Sequence, residues 1–166
     1  VLEVFASHDL ALPQLQLLAA QQQRLHLSLR FVGSEESLRS LSDGRCNVAG
    51  FHVPRLVGGS AVFSQALRPL LKPGLHKLIG SHRRQQGLMV RKGLNPPAGM
   101  RDVAERSLRY VNRQAGSGTR LLADHLLLEA GLDPAAIDGY DSRNEHTHVA
   151  VAAAIAAGAA DVGLGV

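Results

Sequence analysis

Short apolar runs alternate with segments of helical periodicity over the first half of the chain. Apolar residues cluster at 1–6, 27–32 and 48–51, whereas 10–23 and 34–41 repeat their apolar positions every three to four residues. The first pattern predicts strands and the second predicts helices. Their alternation predicts an α/β fold, with a mainly parallel sheet flanked by helices on both faces.

Capping residues mark where these helices begin. Asp9 precedes the first helix and Ser34 opens the second, so we expect each side chain to accept a hydrogen bond from the first turn. Pro13 falls within the first turn, where a missing N–H costs little. A third helix is expected over 63–71, ended by the KPG triplet.

The second half of the chain resumes the alternation after an apolar and basic segment at 75–93, which we interpret as a crossover. Gly131 ends a strongly amphipathic helix, and Pro134 opens a short one. The predicted elements are helices at 100–106, 117–130 and within 145–158, and strands at 109–112 and 160–166.

Composition narrows the classes of function. The chain has 166 residues, 45% hydrophobic content and a net charge of +4, which suits one globular domain or two small lobes. No apolar run reaches the roughly 18 to 20 residues that span a bilayer, so we expect no membrane contact. Few aromatic residues are present to stack on bases, and the basic balance favours a small anionic ligand. Cys46 is the single cysteine and is predicted to be a buried thiol.

A Gly-Ser-Gly-Thr turn precedes the amphipathic helix. Ser117 falls at the N-cap, and Gly118 and Thr119 lie in the first turn, where main-chain N–H groups have no partner within the helix. Gly116 lets the backbone approach a ligand closely. With the helix dipole, these donors suit a tetrahedral oxyanion. A capped helix after a flexible loop explains the same residues equally well.

Other polar residues follow the carboxyl ends of predicted strands, where parallel α/β sheets bind ligands. Arg113 can add a charge-assisted contact to an anion, whereas Arg120 either does the same or faces solvent. Glu35 and Glu36 would repel a dianion unless they point away, which argues against Ser34 as a contact. The further candidates at strand ends are Ser7, His8, His52, Thr147 and His148.

Catalytic and metal sites are disfavoured. Ser7, His8 and Asp9 are adjacent in sequence, so their side chains diverge and cannot form a catalytic relay. His146 and His148 lie on opposite sides of any extended segment, and no CxxC or HExxH pattern accompanies them. We therefore expect no enzyme activity, no metal and no cofactor.

Several of these stretches also resemble a known family. The stretches ASHDLAL at 6–12, FVGSEESLRSLSDGRCNVAGFHV at 31–53, RRQQGLMVRKGLNPP at 83–97 and YVNRQAGSGTR at 110–120 are similar to periplasmic-binding-protein-like domains of type II associated with molybdate and tungstate. The resemblance implies a two-lobed fold that closes on a ligand. It implies lobe one at 1–82, lobe two at 83–160 and the start of a return crossing at 161–166.

By position, the resemblance places a tetrahedral oxyanion among Ser7, Arg113, Ser117 and Thr119, with His8, His52, Thr147 and His148 lining the same cleft. It implies a non-catalytic sensor for molybdate or tungstate, cytoplasmic and part of a larger transcriptional regulator. DNA would be contacted only through a fused module, and a homodimer is a hypothesis. The alternatives are an extracytoplasmic receptor of an oxyanion transporter, a domain fused to a molybdopterin-biosynthesis enzyme, and an effector domain for a small organic acid.

Overall fold

A computed structural model describes residues 1–9, 11–55 and 60–166. The described chain forms two compact units. Unit 1 comprises Val1–Ile79 together with Gly116–Gly118, and unit 2 comprises Gly80–Ala115 and Thr119–Val166. The Gly-Ser-Gly turn at 116–118 therefore belongs to unit 1, although the other residues of that unit are far from the turn in sequence.

Unit 1 is built on a three-stranded parallel sheet in the order β2-β1-β3. Val4 at its centre aligns with Leu29 on one side and with Val48 on the other. Its elements in chain order are β1 (Leu2–Ala6), α1 (Ala11–Gln23), β2 (Leu27–Phe31), α2 (Ser34–Ser42), β3 (Val48–Gly50), α3 (Ala61–Leu67) and a 3₁₀ turn (Arg68–Leu70).

Unit 2 contains a four-stranded sheet in the order β4-β7-β5-β6. The β4–β7 pair is antiparallel and the other two pairs are parallel. Its elements are β4 (Gly87–Val90), α4 (Met100–Glu105), β5 (Tyr110–Arg113), α5 (Gly118–Ala130, whose first residue groups with unit 1), a 3₁₀ turn (Pro134–Ala136), β6 (Asn144–Glu145), α6 (His148–Ala156) and β7 (Val162–Gly165).

The largest described core lies in unit 2, because α4 and α5 both bury apolar side chains against its sheet. Val103 and Leu127 are at most 1% exposed, and the rings of Tyr110 and Tyr140 stack with centroids 5.7 Å apart. A smaller cluster packs α6 on β5 through Val111, Val151, Ile155 and Ala160. These contacts fix the strand ends that carry Arg113 and Thr147.

The predicted fold class is confirmed, since most strand pairs are parallel and helices flank both sheets. Asp9 caps α1 as predicted: its Oδ1 accepts a hydrogen bond from the Ala11 N–H at 2.9 Å. Leu10, the predicted first residue of that helix, lies outside the described residues. The helix predicted over 63–71 corresponds to α3, which begins earlier, at Ala61, and ends at Leu67. A 3₁₀ turn that contains Pro69 follows it.

One predicted cap is wrong. Gly33 holds the N-cap position of α2 with extended backbone, so Ser34 is already the first helical residue. Glycine is an accepted N-cap residue, which explains why the helix begins one residue earlier than a serine cap at position 34 would place it. The Ser34 hydroxyl is thereby released for another contact.

Strand β7 occupies 162–165, where the resemblance implied a return crossing towards the first lobe. It lies between β4 and β5 in the unit 2 sheet, with Val162 facing Val90 and Tyr110. All four of its residues are buried.

Candidate anion site

The Gly-Ser-Gly turn packs directly against the start of α2. The Glu35 N–H donates a hydrogen bond to the Gly116 carbonyl at 3.2 Å. A Cβ atom on Gly33 would lie 2.8 Å from that carbonyl oxygen, so only glycine allows the two backbones to approach this closely. Gly116 has φ of 75°, in the left-handed region that also favours glycine.

Two buried hydroxyls lie beside this contact. Ser7 follows β1 and is 5% exposed, Ser34 begins α2 and is 0% exposed, and their Oγ atoms are 3.3 Å apart. A Cβ on Gly118 would lie 3.2 Å from Ser34 Oγ and 3.3 Å from His52 Cβ. Unit 1 thus brings together Ser7, His52, Gly116, Ser117 and Gly118 of the predicted site, and adds Ser34.

The first residue of α5 supplies a main-chain donor at this place. Ser117 is 1% exposed, and Gly118 is also buried. Within the described chain, the N–H group of Gly118 donates to no residue. Buried N–H groups are nearly always paired in proteins, so this turn is suited to receive an acceptor from a ligand.

Arg113 is a buried cation at the carboxyl end of β5, as predicted. It is 2% exposed, and it donates through Nη2 to the His146 carbonyl at 2.8 Å and through Nε to the Glu145 carbonyl at 3.2 Å. Burial, and then the charge of Arg84, lower the pKa of its guanidinium to about 10. None of its contacts with described residues is to a carboxylate. A buried charge balanced by carbonyls alone is suited to an anionic partner.

The remaining predicted residues have identifiable structural contacts. The ring of His8 lies 5.1 Å from that of Phe31. The Thr147 hydroxyl caps α6 by accepting from the Ala150 N–H at 3.0 Å. His148, the first residue of α6, places Nδ1 3.4 Å from the position that a Cβ on Gly165 would occupy. Thr119, Arg113, Thr147 and His148 belong to unit 2, and their contribution to ligand binding stays a prediction.

Arg120 serves the packing of unit 2, a role different from the anion contact and the solvent-facing position that the sequence left open. Its Nε donates to Asp124 Oδ1 at 3.0 Å, and its guanidinium lies 4.4 Å above the ring of Tyr140. Tyr140 Oη also donates to Asp124, at 2.7 Å. These contacts among Arg120, Asp124 and Tyr140 hold the loop before β6 against the first turns of α5.

Ser34 is the residue that sequence reasoning assigned to the wrong role. The signal was present in the preceding Gly33, which can take the N-cap position and leave the serine free for a tertiary contact. Burial of its hydroxyl against Ser7, which is 27 positions away in sequence, depends on the parallel pairing of β1 with β2. No local pattern shows that contact.

In the part of the chain that the structure describes, no three His, Cys, Asp or Glu side chains are grouped to hold a metal ion. None of the described helices is long and apolar enough to cross a lipid bilayer.

Cys46 is buried as predicted, and burial raises the pKa of its thiol. A surface groove of about 490 Å³ lies in unit 2, lined by 85–89 and 165–166, and contains none of the predicted site residues.

Parallel-dominated sheets with flanking helices, and polar groups gathered at strand ends, define an α/β ligand-binding fold. Residues 15–166 match the PBP superfamily domain, so the chain belongs to the family of periplasmic-binding-protein-like domains. It is therefore a ligand-binding domain of this type.

Known proteins agree with this assignment at the level of fold. The chain is 32% identical over 138 residues to the uncharacterized protein YvgK of Bacillus subtilis (strain 168), covering 82% of this chain and 44% of YvgK. It superposes on PhnD1 from Prochlorococcus marinus (MIT 9301) in complex with methylphosphonate, with a TM-score of 0.65, 16% identity and coverage of 98% of this chain and 62% of that one.

An ancestral arginine-binding protein bound to arginine superposes with a TM-score of 0.57 and 12% identity, covering 99% of this chain and 69% of the other. The chain thus spans less than half of YvgK and somewhat under two thirds of PhnD1. At these identities the two solved structures establish the fold of the chain and leave its ligand open.

Proposed function

We propose that this chain is a non-catalytic domain that binds a small tetrahedral oxyanion at the site formed by Ser7, Ser34, Ser117 and Gly118. The observation that carries the proposal is the buried Ser7–Ser34 hydroxyl pair beside the main-chain donors at the start of α5. Hydroxyl and N–H donors together match the acceptor oxygens of such an anion, and the α5 dipole favours its charge.

Binding without turnover is supported by the contacts of the two serines. Ser7 and Ser34 bond to each other, and within the described chain neither hydroxyl bonds to an imidazole that could take its proton. An activated nucleophile needs such a base. PhnD1, which has the same fold, is in complex with methylphosphonate, and this supports a tetrahedral anion as the ligand proposed for this chain.

Molybdate or tungstate is the finer proposal, and it rests on the resemblance in sequence. We also propose that the domain senses its ligand for an attached module, in the cytoplasm, with any DNA contact made by that module. The lengths of YvgK and PhnD1 are compatible with such a longer protein. A secretion signal in the full-length sequence would instead favour the transport receptor.

Calorimetric titration with molybdate, tungstate, phosphate and sulfate tests the proposal. We expect at least one of these anions to bind, and expect Ser7→Ala and Ser34→Ala each to weaken binding by about 1 kcal/mol, or roughly fivefold. Ser40→Ala is the matched control, because this serine is equally buried on α2 but contacts Glu36 at 3.4 Å. Absence of binding by all four anions, or equal losses in the Ser40 variant, would refute the proposed site.

A further inference from the structure

Helix α1 lies against β2 through a face that carries little apolar surface. Its half-buried residues recur at the spacing of one helix face, and they are Leu12, Gln16, Ala19 and Ala20. Gln16 Nε2 donates to the Leu27 carbonyl of β2 at 2.6 Å, which identifies this face as the one that contacts the sheet. Two alanines and an amide bury little apolar area, so this contact uses few of the apolar side chains of the helix.

The other large apolar side chains of α1 are turned towards solvent. Leu15, Leu17 and Leu18 are 51%, 58% and 47% exposed, and no residue of the helix is buried. A helix at the surface of a globular protein normally turns its leucines towards the core and its polar residues towards water. Neighbouring exposed leucines of this kind, here called the leucine patch, are typical of a surface that another molecule covers.

The rim of the leucine patch is uncharged. Helix α1 contains no acidic, basic or histidine residue over Ala11–Gln23. Gln14 and Gln21 are exposed one turn before and one turn after the pair Leu17 and Leu18. A glutamine amide both donates and accepts hydrogen bonds, so it can pair with a copy of itself, whereas like charges repel. The surface is therefore complementary to its own copy, as an isologous interface requires.

We propose that the leucine patch is a homodimer interface, in which two copies of α1 pack antiparallel across a twofold axis that passes between Leu17 and Leu18. This arrangement sets Gln14 of each chain opposite Gln21 of the other, and it brings the positive end of each helix dipole towards the negative end of its neighbour. Nucleic acids and anionic membranes bind through cations, and α1 carries none. The inference does not depend on anion binding, because none of the residues of the proposed anion site lies on α1.

The size of the leucine patch sets the expected strength of the dimer. Three leucines per chain form a small interface, and small interfaces are typical of weak, transient complexes. We therefore expect a dissociation constant on the order of tens of micromolar, so that the dilute chain is monomeric with α1 uncovered. Sedimentation of the full chain from about 5 to about 500 μM is expected to show a monomer–dimer equilibrium with no larger species, because a twofold contact closes on itself.

Leu18→Lys is expected to weaken dimerisation at least about tenfold, because it sets two cations against each other across the axis. Leu128→Lys is the matched control, since Leu128 is a comparably exposed leucine (61%) on α5. This control variant is expected to dimerise like the parent chain. Circular dichroism checks that each variant keeps its helices.

An exchange of charges tests the symmetry of the contact. Leu18→Glu is also expected to weaken dimerisation, whereas an equimolar mixture of the Leu18→Glu and Leu18→Lys chains should associate at least about tenfold more tightly than either chain alone, because opposite charges then meet. A parent chain that stays monomeric up to about 500 μM, assembly beyond the dimer, or equal losses in Leu18→Lys and Leu128→Lys would overturn the proposal. A mixture that associates no more tightly than its components would overturn it as well.

Discussion

Arg113 shows how main-chain carbonyls can hold a buried cation in place. Its guanidinium is enclosed at the end of β5 and joins the carbonyls of Glu145 and His146 to the strand. An arginine fork satisfies two carbonyls at once, which a lysine ammonium on a flexible stem cannot reproduce with the same geometry. The hydrogen bonds that stabilise this buried cation therefore depend on the shape of the arginine side chain.

Arg113→Lys is expected to lower the free energy of unfolding by about 1–3 kcal/mol, because buried carbonyls lose donors while a charge stays buried. Urea denaturation followed by circular dichroism measures the change. Arg39→Lys is a suitable comparison, since Arg39 is exposed and forms a long i,i+4 pair with Glu35 at 4.0 Å, so its loss is expected to be within about 0.5 kcal/mol. Equal effects in the two variants would contradict the structural role of Arg113.

Asp161 gives the chain a predictable acid sensitivity. Its carboxylate accepts from Arg109 Nε and Nη2 at 2.9 Å, and Arg91 Nε lies 3.2 Å away. The hydrogen bonds from Arg109 lower the pKa of Asp161 to about 2. The folded state therefore holds this group ionised at a pH where the unfolded chain has already bound a proton.

This contribution to stability is complete above the unfolded pKa of about 4 and is lost as the pH falls towards about 2. We expect about 1–2 kcal/mol of stability to disappear across that window, the partial exposure of Arg91 and Arg109 reducing the effect. Asp161→Asn is expected to remove this loss of stability between about pH 4 and about pH 2. The pH dependence of stability outside that window is expected to stay unchanged. Urea midpoints measured between pH 2 and pH 6 test this, and identical profiles for both chains would rule it out.

Residue roles were harder to predict than helix ends. The start of α5 after Ser117 followed from helix-terminus chemistry, which is local and therefore readable. Ser34 and Arg120 were ambiguous because their partners, Ser7 and Tyr140, are distant in sequence. Tertiary contacts decide whether a polar residue caps a helix, binds a ligand or packs against other side chains. Such contacts leave no periodic pattern in the sequence.

At the scale of elements, the approach of the 116–118 turn to the start of α2 depends on Gly33. A methyl group there would meet the Gly116 carbonyl oxygen at 2.8 Å and its carbon at 3.0 Å, both of them backbone atoms that cannot rotate away. Overpacking of this kind typically costs about 1–3 kcal/mol. The turn and the helix would have to separate to relieve it.

Gly33→Ala is accordingly expected to destabilise the chain by about 1–3 kcal/mol and to weaken oxyanion binding at least tenfold. Gly80→Ala is the control, since no atom lies within 4 Å of its Cβ position. Thermal unfolding and calorimetric titration measure the two effects. Normal affinity in a stably folded Gly33→Ala chain would show that this approach is unnecessary for binding.

Element order was readable because most strands and helices carry their own apolar pattern; β6, formed by Asn144 and Glu145, carries none and was not predicted. The helix at 118–130 and its end before Gly131 were predicted nearly to the residue, since amphipathic periodicity and a glycine stop coincide there. The antiparallel pairing of β4 with β7 was not predicted. That pairing joins segments more than 70 residues apart, and a short apolar strand does not specify its partner's direction.

At the scale of the whole molecule, burial is unevenly distributed between the two units. Helix α1 of unit 1 buries no side chain, and Leu15, Leu17 and Leu18 are 47–58% exposed. The strands β5 and β7 of unit 2 are buried at every position. Segments with few buried apolar contacts open at low free energy, whereas core strands open only in global unfolding.

Hydrogen exchange should therefore report this difference directly. Amides of α1 are expected to exchange at least 100-fold faster than those of β5 and β7, a gap of about 3 kcal/mol in opening free energy. A bound ligand stabilises the segments that contact it. Saturating phosphate is therefore expected to slow hydrogen exchange at 33–37 and 117–120 more than in α4, where no contact with the ligand is proposed. Uniform slowing over the whole chain, or slowing confined to α4, would place the bound anion away from the Ser7–Ser34 pair.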